Sequence, residues 1–252
     1  MKKFIFTLLT MLALAASASA QSMKVYQNGQ LRAIYYVSKD DRIEFSDDFP
    51  FPEDKNEEYN GHEYVDLGLP SGLKWATCNV GATSPEEYGD YFAWGETEPK
   101  TTYDWRTYKW CNGSYKTQTK YCTESSCGTV DNKTVLDPED DAAHVIWGGS
   151  WRMPTRAEQE ELLEKCTWTW ITQNGVNGYM VKGPNGNSIF LPAAGYHNYG
   201  SLYDAGSYGN CWSSSLRASD SYDACCLYFD SGRQSTLNSG RCFGQSVRPV
   251  CQ

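Results

Sequence analysis

"GRQSTLNSGRCFGQSVRPV", from Gly232 to Val250, contains three arginines but neither lysine nor glutamate. The same holds for everything after residue 192. All 13 Lys and 15 Glu of the chain lie in residues 1–192, and at that rate the last 60 residues would hold about nine. What residues 193–252 hold instead is 11 Ser, 7 Gly, 6 Tyr, 4 Arg and 4 Asp. That mixture is typical of antibody loops, where Tyr supplies rigid amphipathic contact area and Ser and Gly supply adaptable hydrogen bonding. It suits recognition of a macromolecule or a glycan.

The chain has 252 residues, 40% of them hydrophobic, enough for one compact domain and a small appendage. The formal charge of −9 argues against nucleic acid or an anionic membrane surface as partner, since both reward a clustered basic face. Residues 1–20, MKKFIFTLLTMLALAASASA, have the layout of a secretory signal peptide: two lysines, an apolar run from Phe4 to Ala15, and a small-residue end. The apolar run is too short to span a bilayer and no second one follows, so the expected location is the periplasm, the cell surface or the medium, without membrane insertion.

Residues 21–46 alternate apolar and polar side chains around Asn28-Gly29 and predict a small β-hairpin module. The acid- and proline-rich residues 47–56 read as a linker, and residues 57–252 as the main domain. Within it, strands are expected on either side of Pro70-Ser71-Gly72, and loop from Tyr88 to Tyr121. Two short helices follow. The first has Asp137 as capping acid before Pro138, and the second opens on the capping box Thr155-Arg156-Ala157-Glu158. Strand-like runs then carry Asn-Gly turns at Asn174-Gly175 and Asn185-Gly186, and CWSSSL, ACCLYFDS and QSVRPVC are short strands divided by polar loops. The layout is α+β, with two short helices and a β-rich, loop-rich C-terminal half.

Taken together, EYVDLGLPSGLKWATCNVG, YFAWGE, GGSWRMPTRAEQEEL, LPAAGY, CWSSS and GQSVRPV resemble the Fibrobacter succinogenes major paralogous domain and, more distantly, the formylglycine-generating enzyme branch of the C-type lectin fold. The resemblance implies a C-type-lectin-like domain whose exposed loops form a ligand surface. Some proteins of this fold class are the variable proteins of diversity-generating retroelements, in which adenines of the C-terminal coding segment are mutated. Replacing both adenines of an AAC codon can give Asp, Arg, Tyr, Ser, Leu, Cys or Phe, but never Lys, Glu, Gln, Met or Trp. The variable-looking region is then 196–252, with slots at Tyr203-Asp204, Leu216-Arg217, Ser219 to Asp223, Cys225-Cys226, Tyr228, Asp230, Arg233, Ser235, Leu237 to Ser239 and Cys242-Phe243. The three slot cysteines read as chance products. The ligand-binding residues expected on this basis are Tyr199, Tyr203, Asp204, Arg217, Asp220, Tyr222, Asp223, Tyr228, Asp230, Arg233, Leu237 and Phe243.

A fixed, non-diversified lectin-like module would carry similar residues in the same slots. A formylglycine-generating-type enzyme is a further alternative, but Cys225, Cys226 and Cys242 sit in replaceable slots and Cys251 beside the chain end, so none is carried over as its cysteine pair, and His62, His144 and His197 lie in no nucleophile signature. No catalytic residue, cofactor or metal is therefore assigned. The strand Cys211 to Ser215 lacks the carboxylate that calcium-dependent sugar binding needs, and the acids Asp137, Glu139, Asp140 and Asp141 read as helix-capping. Trp75, Trp94, Trp147 and Trp151 read as core, and Arg248 as a structural pairing residue. One disulfide among Cys111, Cys122 and Cys127 is left open by the exported context.

Overall fold

The computed structural model of the chain describes residues 21–27, 30–37 and 57–252; the expected signal peptide and linker lie outside them. The chain divides into two units, Met1–Asp54 and Lys55–Gln252. In the first, β1 (Gln21–Gln27) pairs antiparallel with β2 (Gln30–Val37), Gln27 opposite Gln30, with a register shift between Val25 and Tyr26.

The second unit is mostly β-sheet with two short α-helices. β3 (Glu57–Tyr59), β4 (His62–Asp66) and β5 (Lys74–Ala76) form an antiparallel meander, with the turn at Pro70 to Gly72 closed by Gly72 N–H donating to the Leu69 carbonyl at 2.9 Å. The chain then runs through a long irregular segment to a 3₁₀ turn at Pro138–Asp140, α1 (Ala142–Trp147) and α2 (Arg156–Lys165). β6 (Thr167–Gln173), β7 (Val176–Lys182) and β8 (Ser188–Pro192) make a second meander. Its first turn places Asn174 and Gly175 at φ of 48° and 85°, the left-handed pair that a two-residue hairpin turn demands. β9 (Tyr196–Asn198) and β10 (Ser201–Tyr203) form a small hairpin, and β11 (Tyr208–Leu216), β12 (Asp223–Asp230) and β13 (Arg233–Gly240) a third sheet with β12 in the middle. Finally β14 (Val250–Cys251) returns to pair with β5, so the end of the unit closes against its beginning.

Local signals hold where backbone chemistry fixes them. Thr155 and Glu158 form the complete capping box of α2. Asp137 does not cap: its carboxylate accepts from Lys120 and Lys133, stronger charge-assisted partners, and the capping acid of α1 is Asp141, which accepts from His144 N–H at 3.1 Å. β13 corrects the expectation of a polar loop between ACCLYFDS and QSVRPVC. Leu237 is its single large apolar residue, and it is a strand because every residue of it registers with β12.

The core is built on tryptophan. Trp94, Trp147, Trp151 and Trp212 share one buried cluster with Phe92 and Cys226, while Trp75 packs in a second with Leu162, Tyr179 and Phe229. Trp94 Nε1 donates to the Ser213 carbonyl and Trp212 Nε1 to the Phe92 carbonyl, both at 2.8 Å, stitching the irregular segment to β11. Arg248 is fully buried and donates to Asn79 Oδ1 and to the carbonyls of Ala76, Thr77 and Phe190, a structural role as expected. Arg241, absent from the sequence-level argument, does the same for the irregular segment, bonding Tyr108 Oη, Gln118 Oε1 and the carbonyls of Lys120, Tyr121 and Ser221. All ten cysteines are free.

Candidate functional site

The three-stranded sheet positions most of the expected binding residues. Cross-strand partners share a face, so Trp212, Cys226 and Leu237 form one row, Asn210, Tyr228 and Ser235 the next, and Tyr208, Asp230 and Arg233 the last. Along the first row exposure rises from 0% at Trp212 through 1% at Cys226 to 38% at Leu237. One face thus passes from core to solvent, both outward toward the edge strand β13 and along it toward the β12–β13 turn.

At that turn Tyr228, Asp230 and Arg233 form a tight group. Asp230 accepts from Gly232 N–H at 2.8 Å, Arg233 N–H at 3.1 Å and the Tyr228 hydroxyl at 2.8 Å, and pairs with Arg233 Nε at 3.3 Å. These bonds, the Gly232 amide foremost, hold its carboxyl below the usual range. Its acceptor capacity is committed to the turn, so Asp230 shapes this end and offers little to a ligand. The Arg233 guanidinium lies 4.9 Å over the Tyr228 ring, and Tyr208 stands 5.7 Å from Tyr228. This leaves an exposed cation on an aromatic pair, a common anchor for protein contacts.

The opposite end of the sheet is different. A groove of about 350 Å³ is lined by Asp104, Trp105, Arg106, Asn198, Tyr199, Tyr222, Cys242 and Phe243. Trp105 and Tyr222 lie 4.9 Å apart, and Tyr115 joins them at 6.2 Å and 5.3 Å. Asp104 is buried and accepts from the backbone N–H of Arg106 and Thr107 and from Arg106 Nε and Nη2. Burial alone would raise its pKa, but those four bonds keep it lowered. Tyr203 stacks on Tyr196 at 5.7 Å, and Tyr196 in turn stands 6.1 Å from Phe243, extending the aromatic surface over the β9–β10 hairpin; Asp204 is exposed in the turn that follows. Between β11 and β12, Arg217 pairs with Asp223 at 2.8 Å and lies 3.7 Å from Asp220. Burial raises the Asp223 carboxyl in spite of that pairing.

None of the twelve expected residues is buried, but they do not make one patch. Tyr222, just before β12, and Tyr228 on it are six positions apart, roughly 20 Å at a strand's rise. Tyr199, Tyr222 and Phe243 face the groove, whereas Tyr228, Arg233 and Leu237 belong to the hairpin face. Asp104, Trp105, Arg106 and Asn198 were missed. The first three lie in the aperiodic stretch read as loop, and only its aromatic density marked it.

Several slots lie in the core. Leu216, Ser221, Cys225, Cys226 and Cys242 are buried, Cys226 against Trp212 and Cys242 against Tyr103 and Tyr108. Burial pushes Cys211 and Cys166 up to about 11 and Cys242 up to about 12, and raises Cys225 and Cys226 as well, all away from the reactive thiolate. The carboxylates of Asp137, Glu139 and Asp140 converge closely enough to hold a metal, but the Lys120 ammonium already sits among them, 2.6 Å from Asp137 and Asp140 and 3.7 Å from Glu139.

Among the described residues no helix is long and apolar enough to cross a membrane. Comparison of the chain with family models, with curated proteins and with solved structures finds no match.

Proposed function

We propose that this is an exported, non-enzymatic ligand-binding protein of C-type-lectin-like fold, adhesin- or receptor-like, whose C-terminal face is a recognition surface diversified by a retroelement. The observation that carries the reading is the selectivity of the missing charges. About one in five of the exposed or half-buried positions in residues 57–192 is Lys or Glu, so about seven are expected among those after residue 192, and there are none. Burial cannot be the reason, because only non-buried positions are compared. Aversion to charge cannot be either, since four Asp and two Arg, Arg217 and Arg233, stand at those same positions. No surface property separates Asp from Glu so cleanly, whereas adenine-directed mutation of AAC codons does.

A second reading, a fixed module of the same kind, is favoured by the buried slots. Random replacement at Cys226 would place Asp or Arg against Trp212, at a cost that few variants would survive. The diversified positions under the first reading are accordingly the slots that are not buried: Tyr203, Asp204, Arg217, Ser219, Asp220, Tyr222, Asp223, Tyr228, Asp230, Arg233, Ser235, Leu237, Asn238, Ser239 and Phe243. Sequencing the DNA that flanks the gene decides between the two binding readings. A reverse transcriptase and a near-copy of the tail's coding segment, differing at adenines in those unburied slots, is the expected result; their absence leaves the fixed module.

A further inference from the structure

We propose that the groove between Trp105, Tyr222 and Phe243 is a saccharide site, with a pyranose ring laid against the aromatic wall and its hydroxyls met by the polar rim. The inference rests on the binding reading above and names a place and a ligand class for it. Three features point to a polyhydroxylated ligand. The first is the mixed wall: Trp105, Tyr199, Tyr222 and Phe243 supply apolar faces in the same groove as Asn198 and Arg106. The second is unused hydrogen-bonding capacity. Among the described residues no bond is made by the Asn198 side-chain amide, the Tyr199 and Tyr222 hydroxyls, or Arg106 Nη1, giving both donors and acceptors around one cleft. The third is charge. The buried Asp104 is saturated by four donors, and Arg106, with a side chain 76% exposed, stands at the rim. No free carboxylate remains to favour an ammonium group, which an aromatic cage would otherwise attract.

The volume, about 350 Å³, lies at the small end of the range for small-molecule clefts, suited to a short saccharide and too small for a folded loop. Trp105 Nε1 makes no hydrogen bond, and its ring is held by packing on Tyr108, Tyr115 and Tyr222. The groove is also half constant. Residues 104–106 lie outside the variable-looking region, while Tyr222 and Phe243 lie inside it. The fixed half would set the ligand class and the tail its selectivity.

The test is binding of the full chain to an immobilised panel of neutral gluco-, manno- and xylo-oligosaccharides, with and without a chelator. Trp105→Ala, Tyr222→Ala and Arg233→Ala are compared, with Lys182→Ala, exposed at the end of β7, as the control, each checked for fold by near- and far-UV circular dichroism. The expected result is chelator-insensitive retention of at least one saccharide by wild type and Lys182→Ala. Affinity should fall about tenfold or more in Trp105→Ala, the loss of roughly one stacked ring. If Trp105→Ala does not fold, Tyr222→Ala carries the same expectation. Retention lost in Arg233→Ala but kept in both groove variants would overturn the groove and leave the binding reading standing. No retention of any saccharide would overturn the ligand class, and the flanking-DNA result would still judge the binding reading separately.

Discussion

Residues 57–192 and residues 193–252 solve the same surface problem with different alphabets. In the first, fewer than a third of the residues are buried, and the surface is kept soluble by Lys and Glu, whose only buried member is Glu96. In the second, close to half are buried, and the remaining surface is Tyr, Ser, Asn, Asp and Arg. The tail is thus both the better-packed and the more contact-ready part of the molecule. Its interior strand β12 anchors to the tryptophan core while its edge strand β13 faces solvent.

The sharpest way to break this comparison is to put the same charge at register partners on the two strands. Cys226→Asp buries an unpaired carboxylate against Trp212 and should cost on the order of 3–5 kcal/mol, unfolding much of the population at ambient temperature. Leu237→Asp, its cross-strand partner on the same face, should cost within about 1 kcal/mol. Chemical denaturation of both variants reads the difference directly, and equal losses would remove the distinction between core and face slots. Trp212→Ala should match the larger value, about 3–5 kcal/mol, because it removes a buried indole and the bond to the Phe92 carbonyl.

An intermediate effect concerns pH at a half-buried histidine of β9. His197, beside Asn198 and Tyr199, lies against Tyr91 at 4.6 Å and Tyr103 at 5.4 Å, and its Nδ1 is buried without a partner. Burial lowers its pKa below the ordinary 6.5, and does the same for His62, which stacks on Trp147 at 3.8 Å. In the window below 6.5 the unfolded chain therefore binds more protons than the folded one, and stability rises with pH there and falls on acidification. Denaturation midpoints between pH 7 and pH 5 should drop in wild type and drop less in His197→Gln. An identical slope in the variant would show that His197 takes no part.

How much of this was legible in the sequence depended on the kind of force involved. Features set by backbone chemistry could be read: the Thr155 capping box, the Asn174-Gly175 turn, and the Trp75, Trp94, Trp147 and Trp151 core positions. Features set by long-range partners could not. β13 is a strand only because β12 lies beside it, Asp137 gave up its cap to Lys120 and Lys133, and Trp105 comes to Tyr222 across more than a hundred residues of chain. The burial of the slot cysteines was hidden for a related reason: β12 is covered on both faces from Ala224 to Leu227, because it lies between β11 and β13 against the core, and the composition of the segment does not show that.

The smallest expected effect is the most informative about the tail. Ser235 and Asn238 lie on β13, half-buried and exposed, and neither side chain makes a hydrogen bond that holds the strand; the weak Cys225 thiol contact to Asn238 Oδ1 at 3.4 Å is the exception. If Lys and Glu are missing because the coding history cannot produce them, the fold has no objection to them. Ser235→Glu and Asn238→Lys should then shift stability by no more than about 0.5 kcal/mol, as surface changes do. Losses of 2 kcal/mol or more, on the order of those from named structural defects, would mean that packing itself forbids these residues. The deficit would then be a property of this sheet, and the case for diversification would lose the observation it rests on.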